Sequence, residues 1–131
     1  MTSQDTPSTT NIDGLVALAK TYFDAVYAMD ADALATIFDP AASVTRRGDG
    51  DSVVVTPVAA WLDLVRSLTS PRDAGAVRAD QILSIAITRD MALLKLRVRI
   101  PAREATDLLS CFYLGGRWRI VQKVFVAETL A

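Results

Sequence analysis

From Ile12 the apolar residues fall at Leu15, Val16, Ala19, Phe23, Val26 and Tyr27, the spacing of one buried helical stripe, and predict a first helix. The segment before it, residues 1–11, is Ser, Thr, Gln, Asp and Pro without apolar period and reads as a disordered tail. Asp30 is placed to cap a second, shorter helix in which Leu34, Ile37 and Phe38 share a face, and that helix must stop before Pro40. Residues 42–46 and 52–55 read as short strands around the turn-rich Arg47-Gly48-Asp49-Gly50-Asp51. Thr56 then caps a third helix with Pro57 at its first position, and Val58, Trp61, Leu62, Val65 and Leu68 form its stripe. Residues 70–76 read as a linker. Four strand-like segments close the chain, at about 78–88, 91–100, 105–114 and 117–126. Helices first and an antiparallel meander afterwards make this an α+β chain, with one domain over residues 12–131: three N-terminal helices packed on a curved antiparallel sheet.

The tight turns fix which side chains share a face. Gly115-Gly116 suits a two-residue hairpin, whose positive backbone angles glycine adopts freely. Leu114 then faces Arg117, and Trp118, Ile120, Gln122 and Val124 stand beside Tyr113, Cys111, Leu109 and Asp107. A similar turn at Arg89-Asp90 sets Ala92, Leu94, Leu96 and Val98 beside Ile87, Ile85, Leu83 and Gln81. One face is thus apolar except for Asp107, Gln122, Gln81 and the Tyr113 phenol. The other mixes Leu93, Lys95, Arg97 and Arg99 with Leu108, Phe112, Arg119, Val121, Lys123 and Phe125. A solvated face has little use for so many large apolar groups, so this outer face is expected to join two copies of the chain.

The chain is 51% apolar and 22% charged, and its 14 Lys and Arg against 15 Asp and Glu leave a formal charge of −1. Those figures suit a folded globular domain and give no field to draw in nucleic acid. Histidine is absent. Histidine-based triads, imidazole proton shuttles and His-ligated zinc sites are therefore excluded. Cys111 is the sole cysteine, so no intrachain disulfide forms, and between Leu109 and Tyr113 it reads as a small core hydrophobe. No apolar stretch is long enough for a membrane span and the first residues are polar, which reads as a soluble, cytoplasmic chain without membrane partners. No glycine loop that would cradle phosphate precedes a helix, and Asp49-Gly50-Asp51 lacks the distant glutamate of a calcium loop, so neither cofactor nor metal is expected.

Several segments together carry a resemblance: Tyr22-Phe23, Asp30-Ala31-Asp32-Ala33-Leu34 leading to Ile37-Phe38, Trp61, Asp107-Leu108-Leu109, and the run from Gly116 to Phe125. In order and spacing, over residues 12–125, they resemble the nuclear transport factor 2-like superfamily, and most closely its bacterial lumazine-binding or SnoaL-like group. The resemblance implies a cystatin-like, cone-shaped α+β roll. The superfamily includes ketosteroid isomerase, whose carboxylate base works with an oxyanion hole of one tyrosine and one neutral aspartate. By that likeness Tyr22 matches the tyrosine and Asp107 the neutral aspartate. Arg46 stands where the base is required, and an arginine accepts no proton at neutral pH, so the isomerase mechanism does not carry over.

Asp107 is the sharpest candidate, since burial in an apolar cone disfavours its charged form and a neutral acid donates to a ligand oxygen. The alternative is a structural Asp107 paired with an arginine or a backbone amide, Arg46 being the nearest such partner by position. Tyr22 lies beside the first helix's stripe, with its ring in the core and its hydroxyl toward a cavity. Trp61, Phe23, Phe38, Tyr113 and Trp118 supply an aromatic wall, and Gln122 and Arg46 supply polar contacts. Three readings follow: a non-catalytic binder of a small hydrophobic or partly polar molecule; an isomerase, cyclase or dehydratase with Asp107 as acid or base and Tyr22 as oxyanion donor; and a structural dimerisation module with a self-filled cone.

Overall fold

A computed structural model describes residues 8–130. Its elements are α1 (Ser8–Ala28), α2 (Ala31–Ile37), β1 (Phe38–Arg47), β2 (Val53–Pro57), α3 (Val58–Arg66), β3 (Gln81–Thr88), β4 (Met91–Ile100), β5 (Arg103–Leu114) and β6 (Arg117–Thr129). Residues 1–7 of the expected tail lie outside the described residues, and α1 takes up Ser8 to Asn11.

The buried stripe of α1 is Leu15, Leu18, Ala19, Tyr22, Phe23, Ala25 and Val26, rotated slightly from expectation. Val16 is 44% exposed, while Tyr22 sits at the stripe's centre and is fully buried. Asp30 caps α2 as its sequence indicates, its Oδ1 accepting from the Ala33 amide at 3.0 Å. Phe38 has already left that helix and opens β1, where it packs on Trp61 with ring centroids 5.4 Å apart. Pro57 ends β2 and stands as the N-cap of α3 in place of Thr56, so the helix begins at Val58, one residue later than expected. Val58, Leu62 and Val65 face the core, and Leu68 lies beyond the helix, half-exposed. Turns fill residues 70–76 and are tied to α1: Arg72 N–H donates to the Tyr27 carbonyl and the Tyr27 hydroxyl to the Ala76 carbonyl.

The strands form one sheet in the order β2-β1-β6-β5-β4-β3. Every neighbouring pair is antiparallel except β1 with β6, which is parallel, so the sheet is mixed rather than a pure meander. The two edge strands differ, and the sheet does not close on itself. Gly115 and Gly116, at φ 59° and 82°, make the expected hairpin turn, with Leu114 opposite Arg117 and Cys111 opposite Ile120. Beyond that pair β6 carries one extra residue, Val121: Ser110 faces Gln122, Leu109 faces Lys123 and Asp107 faces Phe125. Because side chains alternate with period two, this bulge reverses every later position of β6. Gln122 and Val124, expected inside, are exposed, whereas Lys123 and Phe125, expected outside, turn inward. A second irregularity between Ile82 and Ser84 moves Gln81 opposite Arg97 and out of the core. Ala92, Leu94, Leu96, Val98, Leu109, Cys111 and Ile120 complete the buried sheet face beneath the helices.

Candidate functional site

A cavity of about 500 Å³ opens between the helices and the inner face of the sheet. Val26 of α1, Met29 in the turn after it, Leu34 of α2, Val65 of α3 and Val98 and Ile100 of β4 give it apolar walls. Tyr22, Asp107 and Lys123 line its polar side. Asp107 and Lys123 come from adjacent strands, diagonal to each other across the β5–β6 ladder, close enough for a long side chain to bridge. Tyr22 descends on them from α1.

The Tyr22 hydroxyl donates to Asp107 Oδ2 at 2.5 Å, and Lys123 Nζ stands 3.8 Å from the same oxygen. The exposures are 0% for Tyr22, 2% for Asp107 and 7% for Lys123, so all three are withdrawn from bulk water. Asp107 Oδ1 is buried and has no hydrogen-bond partner among the described residues. Three rings surround the ammonium, with Nζ 4.5 Å from the centre of Trp61, 4.9 Å from Phe125 and 5.4 Å from Tyr22. Burial lowers the Lys123 pKa below the ordinary lysine value, against the opposing pull of Asp107. Burial, then the adjacent Asp107 charge and the hydrogen bond to it, raise the Tyr22 pKa well above the ordinary tyrosine value.

Arg46 of β1 and Arg103 of β5 also line the cavity, both with exposed side chains that place them toward its mouth. Among the described residues no carboxylate lies within 4 Å of either guanidinium. Arg46 Nη1 donates to the Arg47 carbonyl, and the anticipated Arg46–Asp107 pair does not form. Lys123 takes that place.

The sequence-derived candidates therefore divide. Asp107, Tyr22, Trp61 and Arg46 meet at the cavity. Phe23 and Phe38 are buried core residues away from its lining, and Trp118 fills the opposite end of the core, its ring 3.1 Å from where a Cβ on Gly14 would stand. Tyr113 is half-exposed beside the hairpin, donating its hydroxyl to the Gly116 carbonyl, and Gln122 lies on the outer face. Lys123 and Phe125 are the cavity-lining positions that alternation assigns to the wrong side, because nothing in the alternation of β6 announces Val121 as a bulge.

Three helices over a curved, unclosed sheet, with a cavity between them, define an α+β roll of the nuclear transport factor 2-like type. The chain belongs to the family described as "Putative lumazine-binding", which it matches over residues 10–126. Among solved structures it is similar to a nuclear transport factor 2-like protein of unknown function from Silicibacter pomeroyi, at 24% identity and a TM-score of 0.77, covering 94% of this chain and 100% of that one. A second such protein, from Shewanella baltica, superposes with a TM-score of 0.86 at 16% identity, covering 96% and 100%. A third, from Methylobacillus flagellatus, gives 0.81 at 22% identity, covering 94% and 96%. At these identities the likeness establishes the fold. No protein of curated function matches the chain. No helix among the described residues is long and apolar enough to cross a membrane.

Proposed function

We propose that this chain binds a small, partly hydrophobic molecule in its cavity, with a polar group against Lys123, Asp107 and Tyr22 and an anionic group toward Arg46 and Arg103. The observation that carries this reading is a buried ion pair beside an unfilled apolar cavity. Stability alone does not explain such a pair, since replacing a buried ion pair with well-packed apolar residues is often neutral or stabilising. A buried carboxylate oxygen without a donor adds a further penalty of about 1–3 kcal/mol, which a ligand's hydroxyl or amide would relieve. A cone filled by its own side chains has no room for the cavity, which weighs against the purely structural reading.

The test is a titration with the amphipathic anion anilinonaphthalenesulfonate. The wild type should show saturable, blue-shifted fluorescence, and Ala105→Trp, which fills the cavity from a buried wall position, should weaken binding by at least about tenfold, equivalent to about 1.4 kcal/mol. Equal binding by both proteins, or none by the wild type, would overturn the proposal.

Acid–base chemistry at Asp107 is a second reading, favoured by the unpartnered Oδ1. The Tyr22 hydrogen is committed to Asp107, so in this reading the Lys123 ammonium supplies the charge facing a developing oxyanion.

We also propose that two copies pair through the outer sheet face. Met91 and Leu93 of β4, Leu108 and Phe112 of β5 and Val124 and Val126 of β6 are all exposed there, in one band across neighbouring strands.

A further inference from the structure

We propose that Lys123 is a covalent carbonyl-capture site: its amine condenses with an aldehyde or ketone held in the cavity to form an imine, with Asp107 handling the protons. The inference rests on the cavity-binding reading and adds a chemical class of ligand to it.

Four features of the site meet the demands of that reaction. First, the amine is accessible to a ligand, because Lys123 lines the cavity and its only ionic neighbour among the described residues is Asp107, at a distance longer than a hydrogen bond. Second, the amine is withdrawn from bulk water: Lys123 is buried and the rings of Trp61, Phe125 and Tyr22 surround its Nζ, which shields an imine from hydrolysis. Third, the same rings that hold an ammonium by cation–π attraction hold a protonated iminium, and Asp107 remains its counter-ion. Fourth, burial lowers the Lys123 pKa, which raises the neutral, nucleophilic fraction of the amine.

The steps balance without an added oxidant or reductant. Asp107 takes one proton from the Lys123 ammonium, the freed nitrogen lone pair attacks the carbonyl carbon as the C=O π pair moves to oxygen, and a second proton passes from that nitrogen to the alkoxide, giving a neutral carbinolamine. Asp107 returns its proton to the departing hydroxyl. The C–O bond breaks, water leaves, and a C=N bond to Nζ remains as the iminium. Tyr22 is a positioning residue here: its hydrogen bond fixes the Asp107 carboxylate through Oδ2, the oxygen nearest the Lys123 amine, and Oδ1 keeps capacity to exchange a proton with the ligand's oxygen. The guanidinium groups of Arg46 and Arg103 favour carbonyl compounds that also carry an anionic group.

The chain supplies its own controls, because its other lysines, Lys20 and Lys95, are both exposed. The protein is incubated at neutral pH with para-formylbenzoate and cyanoborohydride, whose hydride reduces any imine to a stable secondary amine. Peptide mapping then locates the adduct, which adds the mass of the aldehyde less one oxygen, and reads the α-amino group separately. Lys123 should be labelled at least about tenfold faster than Lys20 or Lys95, because the cavity holds the aldehyde beside an amine whose neutral share burial increases. Excess anilinonaphthalenesulfonate should suppress labelling at Lys123 alone. Lys123→Arg, which cannot form the imine, should show no cavity adduct while Lys20 and Lys95 are labelled as in the wild type. If para-formylbenzoate displaces the dye and Lys123 is labelled no faster than the exposed lysines, the imine inference fails while the binding reading stands. If the wild type binds neither dye nor aldehyde, both fail.

Discussion

Lys123 and Asp107 stabilise each other only as a pair. Each was withdrawn from water at a cost of several kcal/mol, and removal of one partner leaves the other's charge buried and bare. Lys123→Met and Asp107→Leu should therefore each lower stability by about 3–5 kcal/mol, whereas the double variant should recover most of that loss. Urea denaturation of the four proteins checks it, and simple additivity would show that the charges do not interact. Cys111 makes a different test of the same dry interior. Burial pushes its thiol pKa from the ordinary 9.0 up to about 12. A raised pKa in the folded state gives a contribution that is complete below the unfolded value and declines as pH climbs through the folded one. The Cys111 share is thus lost between about pH 9 and 12, at about 1.4 kcal/mol per pH unit. Tyr22, also raised, adds loss above its ordinary 10.0, whereas the depressed Lys123 value acts oppositely, adding stability as pH rises toward 10.5. Cys111→Ala should flatten the alkaline decline by the thiol's share, read from urea midpoints at successive pH values; an unchanged slope would remove the thiol from the account.

The elements show where local pattern suffices and where it does not. Helix order, the Asp30 cap, the glycine hairpin and the bounds of β4 were all legible, because each depends on short-range backbone preference or an uninterrupted period. The far half of β6 was not. Without a bulge, Ile120, Gln122, Val124 and Val126 would face inward; with it, Ile120, Lys123, Phe125 and Ala127 do. Hydropathy prefers the first set, so a reading by alternation alone buries the valines and exposes the lysine. The actual choice is tertiary: Asp107 and the ring of Trp61 receive an ammonium that no local rule anticipates. The same one-residue logic at Leu83 took Gln81 out of the core. Tyr22 is legible as a candidate but not as the centre of its stripe, since a helical stripe can rotate by one position with little change in apolar count. If Val121 is the extra residue, deleting it should leave a regular ladder with Lys123 still facing inward. The shortened protein should keep dye affinity within about twofold, less than 0.5 kcal/mol. Loss of dye binding, or labelling at Lys123 no faster than at Lys95, would mean that the bulge itself aims the lysine.

At the scale of the whole molecule, the sheet presents two faces with opposite needs. Its inner face is covered by helices except at the cavity, while its outer face leaves Phe112 at 39% and Val126 at 54% exposure. Leu108 sits within that outer band, directly opposite Val124 on β6 and Lys95 on β4. In an isologous dimer each patch is buried against its own copy, so one substitution is met twice at the two-fold axis. Leu108→Glu would bring two carboxylates into the contact, while within each chain Lys95 offers the new charge a partner and keeps the monomer folded. Sedimentation at micromolar concentration should show the wild type as a dimer and Leu108→Glu as a monomer, a weakening of at least about a hundredfold, or about 2.7 kcal/mol. A monomeric wild type would refute the outer-face pairing. Because Tyr22, Asp107 and Lys123 all come from one chain and lie on the opposite side of the sheet, the separated monomer should still label Lys123 ahead of Lys20 and Lys95. If labelling disappears with the dimer, the cavity depends on its partner, and the site belongs to the assembly rather than to the single chain.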